Sequence, residues 1–166
     1  MNSPYTRRFD RRYYSAKRLE EIDISRIDDD APPIDAGIKN LVRAVNGFEL
    51  DTMGSCEGHY IRMNCAGERA RVTDPRPFVT IWAFSDAQKI GLRCLVRMVG
   101  LYNQESPIKW MVGLEGVKVI QPKKIADNPD EQAAQTRSAE ELAHFLWDKF
   151  LRDYLSPEEP AISTTQ

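Results

Sequence analysis

Six consecutive residues, Gly54-Ser55-Cys56-Glu57-Gly58-His59, place a thiol, a carboxylate and an imidazole among two glycines. A thiolate is both a nucleophile and a soft metal ligand, and an imidazole three positions away is able to take the proton of the thiol. A purely structural turn needs none of these groups. The preceding segment, Phe48–Met53, alternates as a β-strand does, so we predict that the six residues form the turn at its end.

The first chemistry that fits this turn is the binding of an anion. Its two glycines permit a concave run of backbone N–H groups, and arginines follow with positive charge. The predicted ligand is a nucleotide, an RNA or another anionic small molecule. The residues predicted to hold it are Ser55, Glu57, Gly58, Arg62, Arg69 and Arg71.

Two further chemistries use the same side chains. Cys56 and His59 are candidate catalytic residues, as a nucleophile and its base, with Asp51 or Glu57 available to orient the imidazole. Alternatively, Cys56 and His59 with Cys65 offer donors that zinc accepts, although the paired Cys-x-x-Cys spacing of structural zinc sites is missing. A structural role, in which a buried cysteine and a hydrogen-bonded histidine fix the turn to the sheet, is the remaining alternative.

Hydrophobic spacing predicts the elements around the turn. Asp35 is placed to cap a helix that ends at Asn46-Gly47. The apolar run Phe78–Phe84 is typical of a central strand, and the segment Ser85–Gln88 resembles the capping box of a second helix. Further along the chain, Glu115-Gly116 is either a tight turn between two strands or a bulge in one long strand.

The last predicted helix carries the rival function, that of an interaction protein. Ser138 with Glu141 is a capping-box pattern that predicts its start. Trp147 and Tyr154 widen its apolar stripe, which either covers the sheet or packs against a second copy of the chain. The second arrangement predicts a homodimer formed through this helix.

The order helix, strand, strand, helix, strand, helix predicts an α+β (mixed α/β) fold in a single domain. We expect a three- to four-stranded mixed sheet covered by helices. The strands around Phe78 and Trp110 are predicted to form a right-handed crossover, with the Phe48 strand antiparallel to the Phe78 strand. Residues 34–155 form the predicted domain, between an arm at 1–33 and a disordered tail at 156–166.

The predicted arm is basic and aromatic first and acidic afterwards. Residues 1–18 hold six basic side chains and one acid, while residues 19–35 hold seven acids and one base. Arginines mixed with aromatic rings are typical of single-stranded nucleic-acid binding. The same rings are equally suited to fixing the arm to its own domain or to a partner.

Composition narrows the class of protein. Hydrophobic residues make up 42% and charged residues 29% of the chain, as in globular proteins. No apolar run reaches the roughly 20 residues that span a bilayer, and the N-terminus lacks the apolar core of a signal peptide, so we expect a cytoplasmic protein without a membrane partner. Three cysteines without framework spacing favour thiols or a metal over disulfides. The missing Walker and dinucleotide fingerprints argue against a nucleotide hydrolase or a dehydrogenase of the familiar type.

Over residues 36–120, the order of elements resembles the wybutosine-synthesising tRNA methyltransferase family. The resemblance rests on a strand ending in Ser55-Cys56-x-Gly58, a basic loop and the strand Pro77–Trp82, and that family shows Ser-Cys-Ser-Gly-Arg at the corresponding turn. It implies a mixed α/β fold, methyl transfer to RNA and S-adenosylmethionine as cofactor.

Three site residues carry over by this resemblance: Ser55, Cys56 and Gly58. His59 stands where the family has arginine, and Glu57 replaces a serine with a negative charge. The chain is also similar to small uncharacterised bacterial proteins with Ser-Cys-x-Gly-His turns, a similarity that implies no activity.

Overall fold

A computed structural model of the chain describes residues 16–26, 33–63, 66–113 and 118–156. After a 3-10 turn at Leu19–Glu21, the helices are α1 (Ala36–Gly47), α2 (Asp86–Glu105), α3 (Pro129–Leu146) and α4 (Arg152–Leu155), the last two joined by a π-helical turn at Trp147–Leu151. The strands are β1 (Asp51–Cys56), β2 (Ile61–Met63), β3 (Arg69–Arg71), β4 (Phe78–Trp82), β5 (Trp110–Val112) and β6 (Lys118–Pro122).

The main sheet has four strands in the order β1-β4-β6-β5, and β2 pairs with β3 in a separate hairpin. The predicted α+β fold is confirmed, as is the antiparallel pairing of β1 with β4. The prediction of a mixed sheet is wrong, because the three strand pairs described in the main sheet are antiparallel, and the parallel bridge between Arg26 and Thr52 lies outside the named strands. β6 folds back on β5 and lies between β4 and β5, so the two strands of the predicted crossover run parallel in one sheet without being neighbours.

The first strand begins later than predicted. Phe48 and Glu49 close α1 instead, since their N–H groups bond to the carbonyls of Val45 and Asn46. Glu49 takes the left-handed conformation, with φ of 67°, and the Asn46 side chain donates to the Leu50 carbonyl at 2.8 Å. Gly54, Ser55 and Cys56 therefore lie in β1, whose pairing with β4 shifts register between Thr52 and Ser55. The predicted six-residue turn is limited to the residues that follow Cys56.

The last long helix begins earlier than predicted. Asn128 is the N-cap of α3, where its side chain accepts from the Glu131 N–H at 2.9 Å, and Pro129 occupies the first helical position. Ser138 lies inside the helix, where its hydroxyl accepts from the Trp110 indole N–H and bonds the Tyr102 hydroxyl, both at 2.9 Å. The capping-box prediction at Ser138 is therefore wrong, because this hydroxyl bonds across the core.

The apolar stripe at the C-terminal end of the chain packs against the chain itself. Trp147 is 7% exposed, the Phe150 ring stacks on Phe48 with centroids 5.0 Å apart, and the Tyr154 hydroxyl donates to Glu49 at 2.9 Å. The stripe thus covers the protein's own core. A homodimer stays a prediction. The residues of this stripe that pack inside the chain are not available as its interface.

Residues 16–26, which the sequence places in the arm, contribute to the core. Ala16, Leu19 and Ile22 are buried, and Arg26 forms a bridge with Thr52 at the edge of β1. The rest of the predicted arm up to residue 32, and the tail from residue 157, lie outside the described residues. Within the described part of the chain, no helix combines the length and apolar character needed to cross a lipid bilayer.

Candidate metal centre

Three side chains from separate elements converge at one end of β1. Asp35 precedes α1, Cys56 is the last residue of β1, and His59 follows in the next loop. One carboxylate oxygen, the sulfur and one ring nitrogen all lie within 4.8 Å of one another. The structure thus brings together the two predicted catalytic residues, Cys56 and His59, and adds a carboxylate that the sequence suggested only as a helix cap.

Two hydrogen bonds between the start of α1 and the loop after β1 determine the position of Asp35. Asp35 is the N-cap of α1, but its side chain makes no capping bond to its own helix. Its Oδ2 instead accepts from the Glu57 N–H at 3.2 Å, and the Glu57 carboxylate accepts from the Gly37 N–H in the first turn of α1 at 2.9 Å. Glu57, which we predicted to bind a ligand, therefore anchors its loop to the positive end of a helix.

The sulfur lies inside and the other two donors lie at the surface. Cys56 is 8% exposed, and its Sγ accepts from the Gly58 N–H at 3.4 Å. The His59 Nε2 is 3.6 Å from the Asp35 Oδ2, and each of these side chains is 36% exposed. Backbone N–H groups thus donate to the sulfur and to the carboxylate, an outer shell of the kind that orients metal ligands.

The loop that carries His59 is held by α3. The Gln132 side chain donates to the Gly58 carbonyl at 3.0 Å, and the Thr136 hydroxyl donates to the Glu57 carbonyl at 2.5 Å. Gly58 has φ of +91° and packs against the backbone of Pro75 and Pro77. Because these contacts fix the loop on two sides, they also position the His59 imidazole.

An ion pair fixes the loop that contains Pro75 and Pro77. The Arg76 guanidinium makes a two-point contact with the Asp74 carboxylate, at 2.9 and 2.8 Å, and also donates to the Pro122 carbonyl at 3.0 Å. The hydrogen bond from Arg76 holds the pKa of Asp74 below its usual value. This loop is thereby tied to the end of β6.

The ion pair between Asp74 and Arg76 is expected to make a contribution to stability that depends on pH. Because the folded state lowers the pKa of Asp74, the contribution is present above the unfolded pKa of about 3.9 and is lost as the pH falls through the folded value. Asp74 is 44% exposed, so solvent screening limits the effect to less than about 1 kcal/mol. We expect Asp74→Asn to be less stable than the parent in urea at pH 7 and to approach it below pH 4.

The control for that measurement is Asp153→Asn, which changes an exposed carboxylate of α4 that forms no ion pair within the described part of the chain. Because this variant removes no carboxylate–guanidinium contact, it is expected to be as stable as the parent at pH 7. A difference between Asp74→Asn and the parent that stays constant over this range would contradict the assigned coupling.

The other predicted ligand-binding residues take different places. Ser55 pairs with Val79 and faces the side of the sheet opposite to Cys56. Arg69 and Arg71 are exposed on β3, and the Arg71 guanidinium lies 5.1 Å from the centre of the Tyr60 ring. Arg62 contributes backbone to β2, while its side chain and the whole of Cys65 lie outside the described residues.

Comparisons with protein-family models, with curated proteins and with solved structures find no match.

The spacing of the three donors suits a tetrahedral metal ion. Zinc bonds of about 2.0–2.3 Å place tetrahedral ligand atoms roughly 3.3–3.8 Å apart. The donors of Asp35, Cys56 and His59 lie within 4.8 Å of one another, so a closure of about 1 Å between side chains forms the ligand set. An ion held by these three residues would keep a fourth position for water or substrate.

Proposed function

We propose that this protein binds a divalent transition-metal ion, zinc by its donor set, through Asp35, Cys56 and His59. The observation that carries the proposal is the convergence of one donor atom from each residue within 4.8 Å. A thiolate, an imidazole and a carboxylate are each common zinc ligands, and together they match the three-ligand pattern of zinc sites that keep an open position. At that position the ion acts as a Lewis acid on a bound water or substrate oxygen.

Convergence favours a metal over a catalytic relay. In a Cys-His-Asp relay, the imidazole uses one nitrogen for the thiol and the other for the carboxylate. Here a single nitrogen of His59 lies within 4.8 Å of both the sulfur and the carboxylate oxygen. A shared nitrogen is the geometry of ligands around an ion, so we place the nucleophilic function of Cys56 second.

A bound metal ion would also offset the negative charges at the site, which otherwise oppose the predicted binding of an anion. Without an ion, the carboxylates of Asp35 and Glu57 would repel a phosphate. A divalent ion balances the Asp35 carboxylate and the Cys56 thiolate, and the Glu57 carboxylate is held at the N-terminus of α1. Methyl transfer from S-adenosylmethionine to RNA, which the family resemblance implies, stays a prediction.

The proposal is tested by titrating the metal-free protein with Co²⁺, a spectroscopic substitute for zinc. We expect a thiolate-to-cobalt charge-transfer band and visible d–d bands of tetrahedral intensity, with one ion bound per chain. Cys56→Ser should abolish the charge-transfer band. Asp35→Asn and His59→Gln should weaken binding by more than about 100-fold, because changes in the outer shell alone cost 10- to 100-fold.

Two controls make this test specific. Cys94→Ser removes the half-buried thiol of α2, and His144→Gln removes an imidazole that is bonded to Glu140 on α3. Both are expected to bind Co²⁺ as the parent does. A parent protein without a cobalt spectrum would refute the proposal, and in that case rapid alkylation of Cys56 that zinc does not slow would support the nucleophile instead.

A further inference from the structure

A cavity that shares no residue with the candidate metal centre lies between α3 and the end of the β5–β6 pair. Its volume is about 310 Å³, which falls in the range of roughly 300–1,000 Å³ typical of small-molecule sites. The two strands are joined here by the Lys123 N–H, which donates to the Lys109 carbonyl at 2.8 Å. The Gln135 side chain ties α3 to the same end, since it donates to the Lys124 carbonyl at 2.6 Å. Hydrogen bonds therefore hold both walls in place before any ligand binds.

The walls of the cavity are largely apolar. The hydrocarbon groups that line it belong to Pro107, Ile108, Pro122 and Ala134. Pro107 is exposed and Pro122 is buried, so the cavity extends from the surface toward the core. Because a dry apolar cavity of about 150 Å³ accepts benzene, this cavity has room for a body of about two rings.

The charged groups of the cavity favour an anion. Among the described residues, three lysines and one glutamate line it: Lys109, Lys123, Lys124 and Glu131. Glu131 is neutralised by the Lys124 ammonium at 3.1 Å, and the Lys109 ammonium donates to backbone carbonyls at the C-terminal end of α2. Within the described part of the chain, the Lys123 ammonium has neither an ion pair nor a hydrogen bond. Lys123, which is exposed, is therefore free to pair with the anionic group of a ligand.

A buried amide in the lining lacks one hydrogen bond. Gln135 lines the cavity and is 5% exposed. Its Nε2 faces the Lys124 carbonyl, which is an acceptor, so the amide oxygen cannot exchange places with this nitrogen. That oxygen, Oε1, has no donor among the residues that the structure describes. Because an unpaired buried acceptor is costly, a ligand that brings an N–H to Oε1 gains affinity from the bond.

We infer that this cavity binds an aromatic carboxylate of about two fused rings that carries a ring N–H. The rings lie against the apolar walls, the carboxylate pairs with Lys123, and the ring N–H donates to the Gln135 Oε1. Each part of the ligand thus matches one property of the lining: its volume and apolar character, its unpaired cation and its unpaired acceptor. This site uses none of the proposed metal ligands, so it is independent of the ion.

Calorimetric titration of the full chain with three related compounds tests this site. Indole-3-acetate carries both polar groups, 1-naphthaleneacetate lacks the N–H, and 3-methylindole lacks the carboxylate. We expect one molecule of indole-3-acetate to bind per chain. Lys123→Gln should weaken both carboxylates by about 10-fold, the value of one charge-assisted hydrogen bond, and leave 3-methylindole unchanged. Gln135→Met should weaken the two indoles by about 5-fold and leave 1-naphthaleneacetate unchanged, because only the indoles donate to Oε1.

Two further variants make the test specific. Lys149→Gln removes an exposed lysine that does not line the cavity and should bind all three compounds as the parent does. Ala134→Trp fills the cavity and should abolish binding of all three. A parent protein that binds none of the compounds, full affinity for both carboxylates in Lys123→Gln, or unchanged binding in Ala134→Trp would overturn the site. If Gln135→Met weakened all three compounds equally, the hydrogen bond to Oε1 would be refuted, and with it the ring N–H of the ligand.

Discussion

Replacing Gly58 with alanine is expected to lower the free energy of unfolding by about 3 kcal/mol and to abolish metal binding. A Cβ on Gly58 would lie 2.6 Å from the Pro75 carbonyl oxygen, 2.8 Å from the Gln132 side-chain nitrogen and 3.0 Å from the Pro77 nitrogen. Two of these atoms belong to the backbone, so neither is able to move as a side chain would. The φ of +91° adds strain, because L side chains rarely adopt it. As Gly58 donates to the Cys56 sulfur and precedes His59, a displaced loop also separates the donors.

Two other glycines separate strain from overlap in this experiment. Gly67 has φ of +76°, and a Cβ there would meet no atom of the described residues within 4 Å, so Gly67→Ala measures strain alone, about 1 kcal/mol. Gly54 lies in β1 with open space around it, so Gly54→Ala is expected to have little effect. Urea unfolding and Co²⁺ titration of all three variants give the comparison. If Gly58→Ala loses no more stability than Gly67→Ala and still binds cobalt, the packing of this loop is not as described.

Elements whose signals are local were predicted well from the sequence. The Ser85–Gln88 capping box forms as expected, with the Ser85 hydroxyl accepting from the Gln88 N–H. The Gln88 side chain also donates to Asp51 at 2.9 Å, which fixes the start of α2 against β1. Capping needs only residues within one turn, so a single sequence contains the whole pattern.

The predicted start of α3 was wrong because a residue far away in the sequence determines the environment of Ser138. Ser138 and Glu141 match a capping box, but the Ser138 hydroxyl bonds the Trp110 indole, 28 positions away in the chain. The true start, Asn128-Pro129, has a sequence signal as well, since Asn is a favoured N-cap and Pro a favoured first residue. The sequence thus contains two local signals for a helix start, at Asn128 and at Ser138. Ser138 is buried against the core, so the helix begins at the first of them.

The candidate site was found only in part for the same reason. Cys56 and His59 are close in sequence, so their pairing was visible. Asp35 contacts Glu57 from 22 positions away, and Gln132 and Thr136 reach the loop from 74 and 79 positions away. Such partners come together only through the packing of α1 and α3, which spacing along the chain does not encode. An N-cap aspartate without a capping bond was the signal that structure alone could supply.

Replacing Gly91 with alanine is expected to have the largest effect on stability in the described chain, a loss of about 4 kcal/mol or complete failure to fold. A Cβ on Gly91 would lie 2.0 Å from the carbonyl oxygen of Phe48, much closer than the van der Waals contact of two such atoms. Phe48 closes α1 and stacks on Phe150, so its backbone cannot withdraw without disturbing the core. The small size of Gly91 thus allows α2 to cross the connection between α1 and β1.

Gly100 supplies the matched control within the same helix, since a Cβ there would meet no atom within 4 Å. Gly100→Ala is expected to stabilise the protein by about 0.5–1 kcal/mol, because alanine has the higher helix propensity. Thermal and urea unfolding of the two variants test opposite signs for the same substitution on one helix. If Gly91→Ala were as stable as Gly100→Ala, α2 would have to lie farther from Phe48, and the bond between Gln88 and Asp51 that depends on this approach would be lost with it.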